Sequence, residues 1–225
     1  MRAPVSVIIP SLNAQAQLPR CLEALMEGLE AGIIRELIVS DGGSSDATCA
    51  VAQAWGAQVL EGPPSRGGQL RRGCAVATGD WFLILHADTR LEAGWSGAVK
   101  RHLATSEKAG WFQLRFDAIG LPAAMVAGWA NLRSRFGLPY GDQGLLVARD
   151  LYEQGGGYPD QPLMEDVAMA RKLRGKLVPL SCVAVTSAQK YQSRGWLRQG
   201  AGNLGILIRY LAGVEAKTLA EKYRR

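Results

Sequence analysis

The stretch DWFLILHADTRL, residues 80–91, contains an apolar run that ends abruptly in polar residues. The run from Trp81 to Leu85 is short and continuous, which is typical of a strand buried on both faces of a sheet. The polar side chains of His86 and Asp88 follow directly, and they must meet either water or a ligand. The stretch therefore predicts a buried strand whose carboxyl end borders a candidate site.

Strand-like and helix-like segments alternate on the amino-terminal side of this strand. The segments VSVIIP (5–10), ELIVSD (36–41) and AQVLEG (57–62) predict strands, and residues 14–32, 46–56 and 67–79 predict helices. Gly32 is expected to end the first helix, and Ser45 or Asp46 to cap the second. This alternation predicts a single α/β domain with a mostly parallel sheet flanked by helices.

Three of the predicted strands end in unusual residues, namely PSLNA (10–14), SDGGSSDAT (40–48) and HADT (86–89). Each segment alone has an ordinary explanation as a helix cap, a turn or a solvated loop. In open parallel sheets, however, ligands bind beyond the carboxyl ends of the strands. We therefore expect the three segments to meet at one edge of the sheet and to form a shared site.

Composition narrows the class of protein without identifying a ligand. The chain has 225 residues, of which 48% are hydrophobic, and this suffices for one compact core. The net charge of +6 favours anionic partners. The arginines are dispersed along the chain, so we expect no nucleic-acid partner.

Cysteine spacing and hydropathy bear on location. The four cysteines form no Cys-x-x-Cys pair, which argues against a zinc knuckle or a dithiol centre and fits reduced thiols. The segment MRAPVSVIIP is too short for a signal-peptide core, and no apolar run approaches the thickness of a bilayer. We therefore expect a cytoplasmic protein that does not span a membrane.

An ordered set of motifs resembles the family 2 glycosyltransferases of the GT-A fold. The motifs are VSVIIPSLNA, LIVSDGGSSDAT, RGGQLRRG, LILHADT and MEDVAMARKL, and the resemblance extends from Val5 to about Trp196. With YGDQG (140–144), the chain is similar to a bacterial subgroup that is associated with radical-SAM/selenodomain clusters and named for arsenosugar biosynthesis. The resemblance implies a GT-A domain over residues 1–196, followed by an amphipathic helical segment over residues 197–225.

The resemblance also implies a nucleoside-diphosphate sugar as the donor. In this interpretation the loop after the first strand forms the wall of the nucleotide pocket, Asp41 contacts the base or ribose, and Gly43 allows close backbone approach. Arg66 precedes a helix start, where a guanidinium and backbone N–H groups can face an anion together. The residues implied for nucleotide-sugar binding are Pro10, Ser11, Asn13, Asp41, Gly43, Arg66, Gln69 and Asp88.

The resemblance places a divalent cation, Mg²⁺ or Mn²⁺, at Asp88. Such a hard cation prefers oxygen ligands and offsets the charge of the departing diphosphate. The family's usual signature is Asp-x-Asp, but His86 stands here at the first acidic position. The only other histidine is His102, so a multi-histidine zinc centre is not expected.

The chemical step requires a group that takes the proton of the acceptor hydroxyl. By resemblance Asp166 is that base and Glu165 supports it, and direct attack would invert the anomeric centre. Acidic residues in a first helical turn could instead simply complement the helix dipole. On the acceptor side, the resemblance implies Asp142 and Gln143 from YGDQG, and Arg194 and Trp196 from QSRGW, a loose match to a Gln-x-x-Arg-Trp signature.

The carboxyl-terminal segment leaves several partners open. The apolar stripe of its predicted helix consists of Leu204, Leu207, Ile208, Leu211 and Val214, with basic residues following. This helix could pack on its own domain, form a homodimer contact, or rest on anionic lipid at the inner face of the membrane. The last arrangement would suit a lipid-linked acceptor, whereas a small-molecule acceptor requires no membrane contact.

Two other functions remain as alternatives. A sugar nucleotidyltransferase shares the general architecture, but it normally opens with a glycine-rich loop containing a basic residue, where this chain has PSLNA. A nucleotide-sugar-binding protein without turnover would keep the donor pocket and lack the function of Asp166. A phosphatase of the haloacid-dehalogenase type is disfavoured by His86, which stands where its nucleophilic aspartate would be.

Overall fold

An eight-stranded sheet organises the chain in this computed structural model, which describes residues 2–224. The strands are β1 (Val5–Ser11), β2 (Ile34–Asp41), β3 (Gln58–Glu61), β4 (Trp81–Ile84), β5 (Thr89–Leu91), β6 (Ala109–Phe116), β7 (Leu145–Ala148) and β8 (Leu177–Thr186). Their order across the sheet is β3-β2-β1-β4-β7-β6-β8-β5. The two terminal residues of the predicted 1–225 span, Met1 and Arg225, lie outside the described residues.

Helices cover the sheet on both faces. They are α1 (Leu18–Glu30), α2 (Thr48–Ala54), α3 (Arg66–Val76), α4 (Trp95–Thr105), α5 (Leu121–Arg135), α6 (Arg149–Gln154), α7 (Glu165–Lys172), α8 (Gln189–Arg194), α9 (Trp196–Leu211) and α10 (Ala216–Arg224). A short 3₁₀ turn, Gly141–Gln143, precedes β7.

The first four strands form the parallel part of the sheet, as the sequence predicts. β1 pairs in parallel with β2 and with β4, and β2 pairs in parallel with β3. All seven residues of β1 are buried. Val7 and Ile9 pack in the same apolar cluster as Leu18 of α1, whereas Ile8 packs in the cluster that contains Leu70 of α3. Both faces of this strand are covered, which explains its continuous apolar sequence.

The second half of the sheet is mixed. β7 runs antiparallel to β4 and to β6, β6 runs parallel to β8, and the short β5 pairs antiparallel with β8. Consequently β6 and β8 end at the same edge of the sheet as β1 and β4. The turn before β7 lies at that edge too, because β7 runs in the opposite direction. This arrangement decides which loops can reach a common site.

The local signals in the first half agree with the structure, apart from one detail. α1 ends at Glu30, and Gly32 has the left-handed φ of 67° expected after a helix. At the start of α2 the cap position is Ala47, not Ser45 or Asp46. The Asp46 carboxylate still accepts a hydrogen bond from the Thr48 N–H at 3.0 Å, so it serves the first turn from one position earlier.

The carboxyl-terminal helices pack on the domain, but not through the predicted stripe. Ile206 and Leu207 of α9 are buried together with Leu219 of α10 against Leu163 and Val167. In the predicted stripe, only Leu207 is buried. Leu204, Ile208, Leu211 and Val214 remain exposed. Within residues 2–224, no helix has the length and apolarity needed to cross a bilayer.

Candidate active site

Hydrogen bonds join the loops that follow β1 and β2. Asn13 adopts a left-handed φ of 50°, and its side-chain oxygen accepts the Ser45 N–H at 2.9 Å. The Asn13 N–H donates to Ser44 Oγ at 2.8 Å, and the Ala14 N–H donates to Thr48 Oγ1 at 2.7 Å. Polar residues after the two strand ends are thus used first to hold the two loops together.

Asp41 lies behind these two loops and has a structural role. Its carboxylate accepts hydrogen bonds from the hydroxyls of Ser11 and Ser44 and from the N–H groups of Gly43 and Ser44. Burial opposes ionisation of Asp41, but these hydrogen bonds outweigh it and hold the pKa of the carboxyl below its usual value. Only 1% of Asp41 is exposed, and neither it nor Gly43 lines the cleft described below. The contact of Asp41 with a base or ribose stays a prediction.

Helix α3 is anchored beneath the same strand ends. Gln69 Nε2 donates to the carbonyl oxygens of Ser11, at 2.7 Å, and of Ser40, at 2.9 Å. Arg72 donates to the Asp41 carbonyl at 2.8 Å, while the adjacent Arg71 is exposed. Gln69 therefore borders the cleft with its amide nitrogen already bound to the protein backbone.

The start of α3 does not present free N–H groups to an anion, contrary to the expectation from its sequence. The Gly67 N–H donates to the Gln161 carbonyl at 3.0 Å, and the Gly68 N–H donates to Ser65 Oγ at 3.3 Å. A Cβ on Gly67 would lie 2.0 Å from the Pro159 carbonyl oxygen. This glycine is required for the approach of the 159–161 loop, and Arg66 and Gln69 are the residues of the first turn that line the cleft.

One cleft of about 520 Å³ opens at the shared carboxyl edge of β1, β4, β6 and β8. Strand ends on both halves of the sheet contribute to it, including Ser11 and Thr186. The sequence-predicted residues that line it are Pro10, Ser11, Asn13, Arg66, Gln69, Asp88, Asp142 and Asp166. Residues separated by more than a hundred positions in the chain are therefore brought to one site.

His86 and Asp88 extend from the end of β4 into this cleft. The His86 ring packs against Gly141, where a Cβ would lie 2.3 Å from Nε2. Burial, with the positive charges of Arg66 and Lys190, holds the pKa of His86 well below its usual value. The imidazole is therefore neutral at physiological pH and adds no charge beside Asp88, which is exposed to the cleft.

A metal ion at Asp88 would need further oxygen ligands. Among the described residues, no group of three or more His, Cys, Asp or Glu side chains is arranged to hold a cation. One carboxylate on an open cleft nevertheless fits the way Mg²⁺ is usually bound, by one or two carboxylates together with substrate phosphates and water.

Asp166 and Glu165 begin α7 but face different surroundings. The Asp166 carboxylate accepts the Gly141 N–H at 2.8 Å and the Val167 N–H at 2.7 Å, and it lines the cleft. Glu165 is fully buried beneath it, with Oε1 3.6 Å from Arg66 Nε. Burial raises the pKa of Glu165 to about 7, with Arg66 opposing the increase and Asp166 adding to it. Glu165 thus positions Arg66 from below and does not line the cleft.

Asp142 lies in the turn before β7, and its carboxyl lines the cleft with a raised pKa. Burial raises its pKa to about 6, the Arg133 guanidinium opposes the increase, and the carboxylates of Asp166 and Asp88 add to it. Its Oδ1 is buried without a hydrogen-bond partner among the described residues. A carboxyl with this pKa can exchange a proton near neutral pH.

Three residues expected on the acceptor side do not line the cleft. Gln143 is fully buried, where it accepts the Ser134 hydroxyl and donates to the Phe112 carbonyl. Arg194 is exposed to solvent at the end of α8. The Trp196 ring packs on Phe116 at 5.2 Å between ring centroids, within an aromatic cluster behind the cleft. Gln143 and Trp196 therefore support the fold around the site.

The sequence motifs missed one wall of the cleft. This wall comes from α8 and α9, and its residues include Lys190, Tyr191, Gln199 and Asn203. The one local signal was the spacing of Gln199 and Asn203, which places two polar side chains on the same side of a helix.

Comparison with known sequences identifies similar proteins over most of the chain. The family model described as Glycosyl transferase family 2 matches residues 6–135. An uncharacterized glycosyltransferase of Mycobacterium tuberculosis is 28% identical over 179 residues, which are 73% of this chain and 79% of that protein. A PGL/p-HBAD biosynthesis glycosyltransferase of the same organism is 35% identical over 99 residues, or 40% of this chain and 38% of that protein.

Solved structures of low sequence identity share the fold. Residues 1–349 of Staphylococcus aureus TarS superpose with a TM-score of 0.62 at 16% identity, covering 81% of this chain and 57% of that one. Glucosyl-3-phosphoglycerate synthase from M. tuberculosis, crystallised with Mn²⁺ and UDP-glucose, gives a TM-score of 0.59 at 21% identity, covering 82% of this chain and 69% of that one. The expected GT-A architecture, an α/β sheet flanked by helices, is confirmed.

Proposed function

The chain belongs to glycosyl transferase family 2, and from that premise we propose that it transfers a sugar from a nucleoside-diphosphate sugar to an acceptor hydroxyl in the 520 Å³ cleft. One observation carries the proposal. Arg66, Lys190, Asp88 and Asp166, which come from four separate segments, line a single cleft at the carboxyl edge of the sheet. Such a cleft combines cations for a diphosphate with carboxylates for a metal and a proton.

The donor diphosphate would lie between the cationic side chains. Arg66 and Lys190 both line the cleft, and both lower the pKa of His86, so their charges act on the same region. Charge-assisted hydrogen bonds from such groups stabilise the negative charge that develops on the departing diphosphate. The solved TarS complexes with UDP and UDP-GlcNAc, and the synthase with UDP-glucose, support a nucleotide sugar as the donor.

Asp88 would hold Mg²⁺ or Mn²⁺. The cation, when bound, neutralises diphosphate charge and acts as a Lewis acid on the leaving group. The crystallisation of the synthase with Mn²⁺ supports this assignment. Neutral His86 next to Asp88 leaves one full negative charge at this part of the cleft, where an Asp-x-Asp pair would place two.

Asp166 would accept the proton of the acceptor hydroxyl as its oxygen attacks the anomeric carbon. The N–H groups of Gly141 and Val167 hold the carboxylate in place. The new bond to the anomeric carbon forms as the bond to the diphosphate breaks, and one displacement inverts that centre. Glu165 supports the site through its contact with Arg66.

Asp142 is a second candidate for the base. A general base is most effective when its pKa lies near the working pH, and the pKa of Asp142 is about 6. Its Oδ1 has no hydrogen-bond partner among the described residues. Asp166, by comparison, has both carboxylate oxygens bound to N–H groups. The two assignments differ in which Asp→Asn substitution removes turnover.

The finer assignments each rest on one sequence feature. Membership of the arsenosugar-associated subgroup rests on YGDQG, a hexosyl donor on the family resemblance, and a cytoplasmic location on four cysteines that form no Cys-x-x-Cys pair. The nucleotidyltransferase and binding-only alternatives both predict no sugar transfer to a hydroxyl. A direct assay for transfer separates them from the proposal.

The test is a melting-temperature screen with UDP-, GDP-, dTDP- and CMP-sugars, with and without Mn²⁺. Ligands that bind only the folded state raise the apparent stability, so we expect a metal-dependent increase with at least one sugar nucleotide. Asp88→Ala should abolish the metal-dependent increase. Asp166→Asn should keep it while lowering turnover by about 10²–10⁴-fold.

The matched control is Asp150→Asn, which removes an exposed carboxylate on α6 away from the cleft. It should change neither binding nor turnover. Full turnover in Asp166→Asn, with loss in Asp142→Asn, would reassign the base to Asp142. The absence of any shift with every sugar nucleotide would contradict the proposed donor class.

A further inference from the structure

Helix α5 buries its small residues and exposes its large apolar ones. Its buried side chains are Ala123, Ala127, Ala130 and Ser134. At 100° per residue, the opposite side of the helix carries a second apolar stripe, all of it exposed to solvent. That stripe consists of Leu121, Met125, Trp129, Leu132 and Phe136. A helix that is apolar on two opposite sides but buried on one leaves the other side for a partner.

Helix α9 repeats this arrangement beside α5. Its inner side carries Gln199 and Ile206, which are buried toward the cleft. Its outer stripe consists of Leu197, Leu204, Ile208 and Leu211, all exposed, with Leu197 86% exposed. The stripe that the sequence indicated as a packing surface is therefore mostly an outer surface.

The two outer stripes are continuous. A crevice of about 50 Å³ lies between the helices and is lined by Trp129 and Arg133 on the α5 side and by Asn203 and Leu204 on the α9 side. Trp129 and Leu204 each belong to an outer stripe. We call the nine residues of the two stripes the α5–α9 face.

The charged residues within the two segments that carry this face are all basic. Residues 118–141 and 187–214, which carry the face, contain no Asp or Glu. Besides Lys190, which lines the cleft, the exposed basic side chains in these segments are Arg135, Arg194, Arg198 and Arg209. Large apolar side chains flanked by cations fit a surface that is apolar inside and anionic outside.

We propose that the α5–α9 face docks on the surface of an anionic lipid bilayer. The apolar stripes would enter the boundary between headgroups and acyl chains, and the basic side chains would contact the lipid phosphates. A second copy of the chain is a poorer occupant, because a two-fold contact would place the same cationic segments against each other.

Because of the crevice, docking in this orientation has a consequence for the acceptor. This consequence rests on the proposed function. Tyr140 and Asp142 line both the crevice and the 520 Å³ cleft. A bilayer on the α5–α9 face would cover the crevice at Trp129 and Leu204, and Asp142 lies where the crevice and the cleft share lining residues. The acceptor class that fits is a hydroxyl carried on a lipid, with its polar end in the cleft.

The experiment is flotation of the full chain with vesicles of phosphatidylcholine alone and of phosphatidylcholine and phosphatidylglycerol in equal parts. The wild type should float with the anionic vesicles and be released by salt, which screens the charge contacts. The Trp129→Gln/Phe136→Ser variant should bind about tenfold or more weakly, because two exposed aromatic anchors are lost. The Arg135→Gln/Arg198→Gln variant should lose roughly fivefold per cation removed.

Trp55→Gln is the matched control, since Trp55 is 40% exposed after α2 and outside the face. It should float like the wild type. Equal flotation of the Trp129→Gln/Phe136→Ser variant, or no flotation of the wild type, would overturn the proposal. Sedimentation velocity tests the rival occupant. If the wild type is a dimer and the Trp129→Gln/Phe136→Ser variant is a monomer, the face binds a second copy of the chain and the bilayer proposal is overturned. The sugar-nucleotide melting shift should stay unchanged in these variants, so failure of docking and failure of the proposed function are read separately.

Discussion

Asp142 and Glu165 have carboxyl groups whose pKa values are raised in the folded protein. Burial is the largest cause in both, and it raises the pKa of Asp142 to about 6 and that of Glu165 to about 7. A group whose pKa is higher in the folded state than in the unfolded state binds its proton more tightly when folded. Both residues therefore lower stability at neutral pH, which is common where side chains are placed for chemistry.

Asp142→Asn should stabilise the protein in a pH-dependent way. The unfolded carboxyl has a pKa of about 4, so the wild type loses stability as pH rises from about 4 to about 6. The variant should be more stable by about 1–3 kcal/mol above pH ~6, and the difference should vanish below pH ~4. Urea denaturation at both pH values measures this.

The control for that experiment is Asp150→Asn, whose exposed side chain makes it a surface substitution. It should change the free energy of unfolding by less than about 0.5 kcal/mol at either pH. A stabilisation of Asp142→Asn that is the same at both pH values would show that the ionisation of Asp142 is not its cause.

Among the elements, α3 and α9 use glycine for different reasons. Gly67 in the first turn of α3 lies against the backbone of the 159–161 loop, with no space for a Cβ. Gly202 in the middle of α9 faces open space, with no neighbouring group within 4 Å of where a Cβ would project, and has no left-handed φ. The first glycine positions Arg66 at the cleft, whereas the second only adds freedom to the unfolded chain.

Gly67→Ala and Gly202→Ala should therefore change stability in opposite directions. The first should destabilise by about 1–3 kcal/mol, because the helix must move away from Pro159. The second should stabilise by about 0.5–1 kcal/mol, since alanine favours the helix. Chemical denaturation of both variants tests the pair, and a shift of the same sign in both would contradict this account of α3.

For the whole molecule, the carboxyl-terminal helices complete the domain. Ile206 of α9 and Leu219 of α10 pack with Val167 of α7, the helix that also carries Asp166. The predicted boundary at residue 196 falls at the start of α9, where Trp196 packs on Phe116 and Tyr191. The cleft therefore depends on helices beyond the family match over residues 6–135.

Leu219→Ala should destabilise the entire protein. Leu219 is 1% exposed, and such a truncation in a core costs about 2–5 kcal/mol. Far-UV circular dichroism and tryptophan fluorescence should show one coincident transition at a lower midpoint. Leu211→Ala, on the exposed side of α9, should cost less than about 0.5 kcal/mol. An early separate transition in Leu219→Ala would instead indicate an independent carboxyl-terminal unit.

Much of the fold was determined by the sequence alone. Buried runs such as Val5–Pro10 and Trp81–Leu85, alternating with helical periodicity, specify β1 to β4 and the helices between them, because these signals are local. The parallel arrangement then brings the strand ends together, and Ser11, Arg66, Asp88 and Asp166, which the motifs indicated, line one cleft. Their presence in one cleft follows from the direction of the strands.

The tertiary structure alone decided which polar groups are available and which surfaces are covered. Asp41 and Gln143 are turned into hydrogen-bond networks, the Gly67 N–H is taken by Gln161, and α8 and α9 supply the wall with Lys190 and Asn203. The sequence of α5 likewise has apolar residues on two opposite sides and does not indicate which side is exposed. These outcomes depend on contacts between residues far apart in the chain, and local periodicity carries no information about which partner occupies a given face.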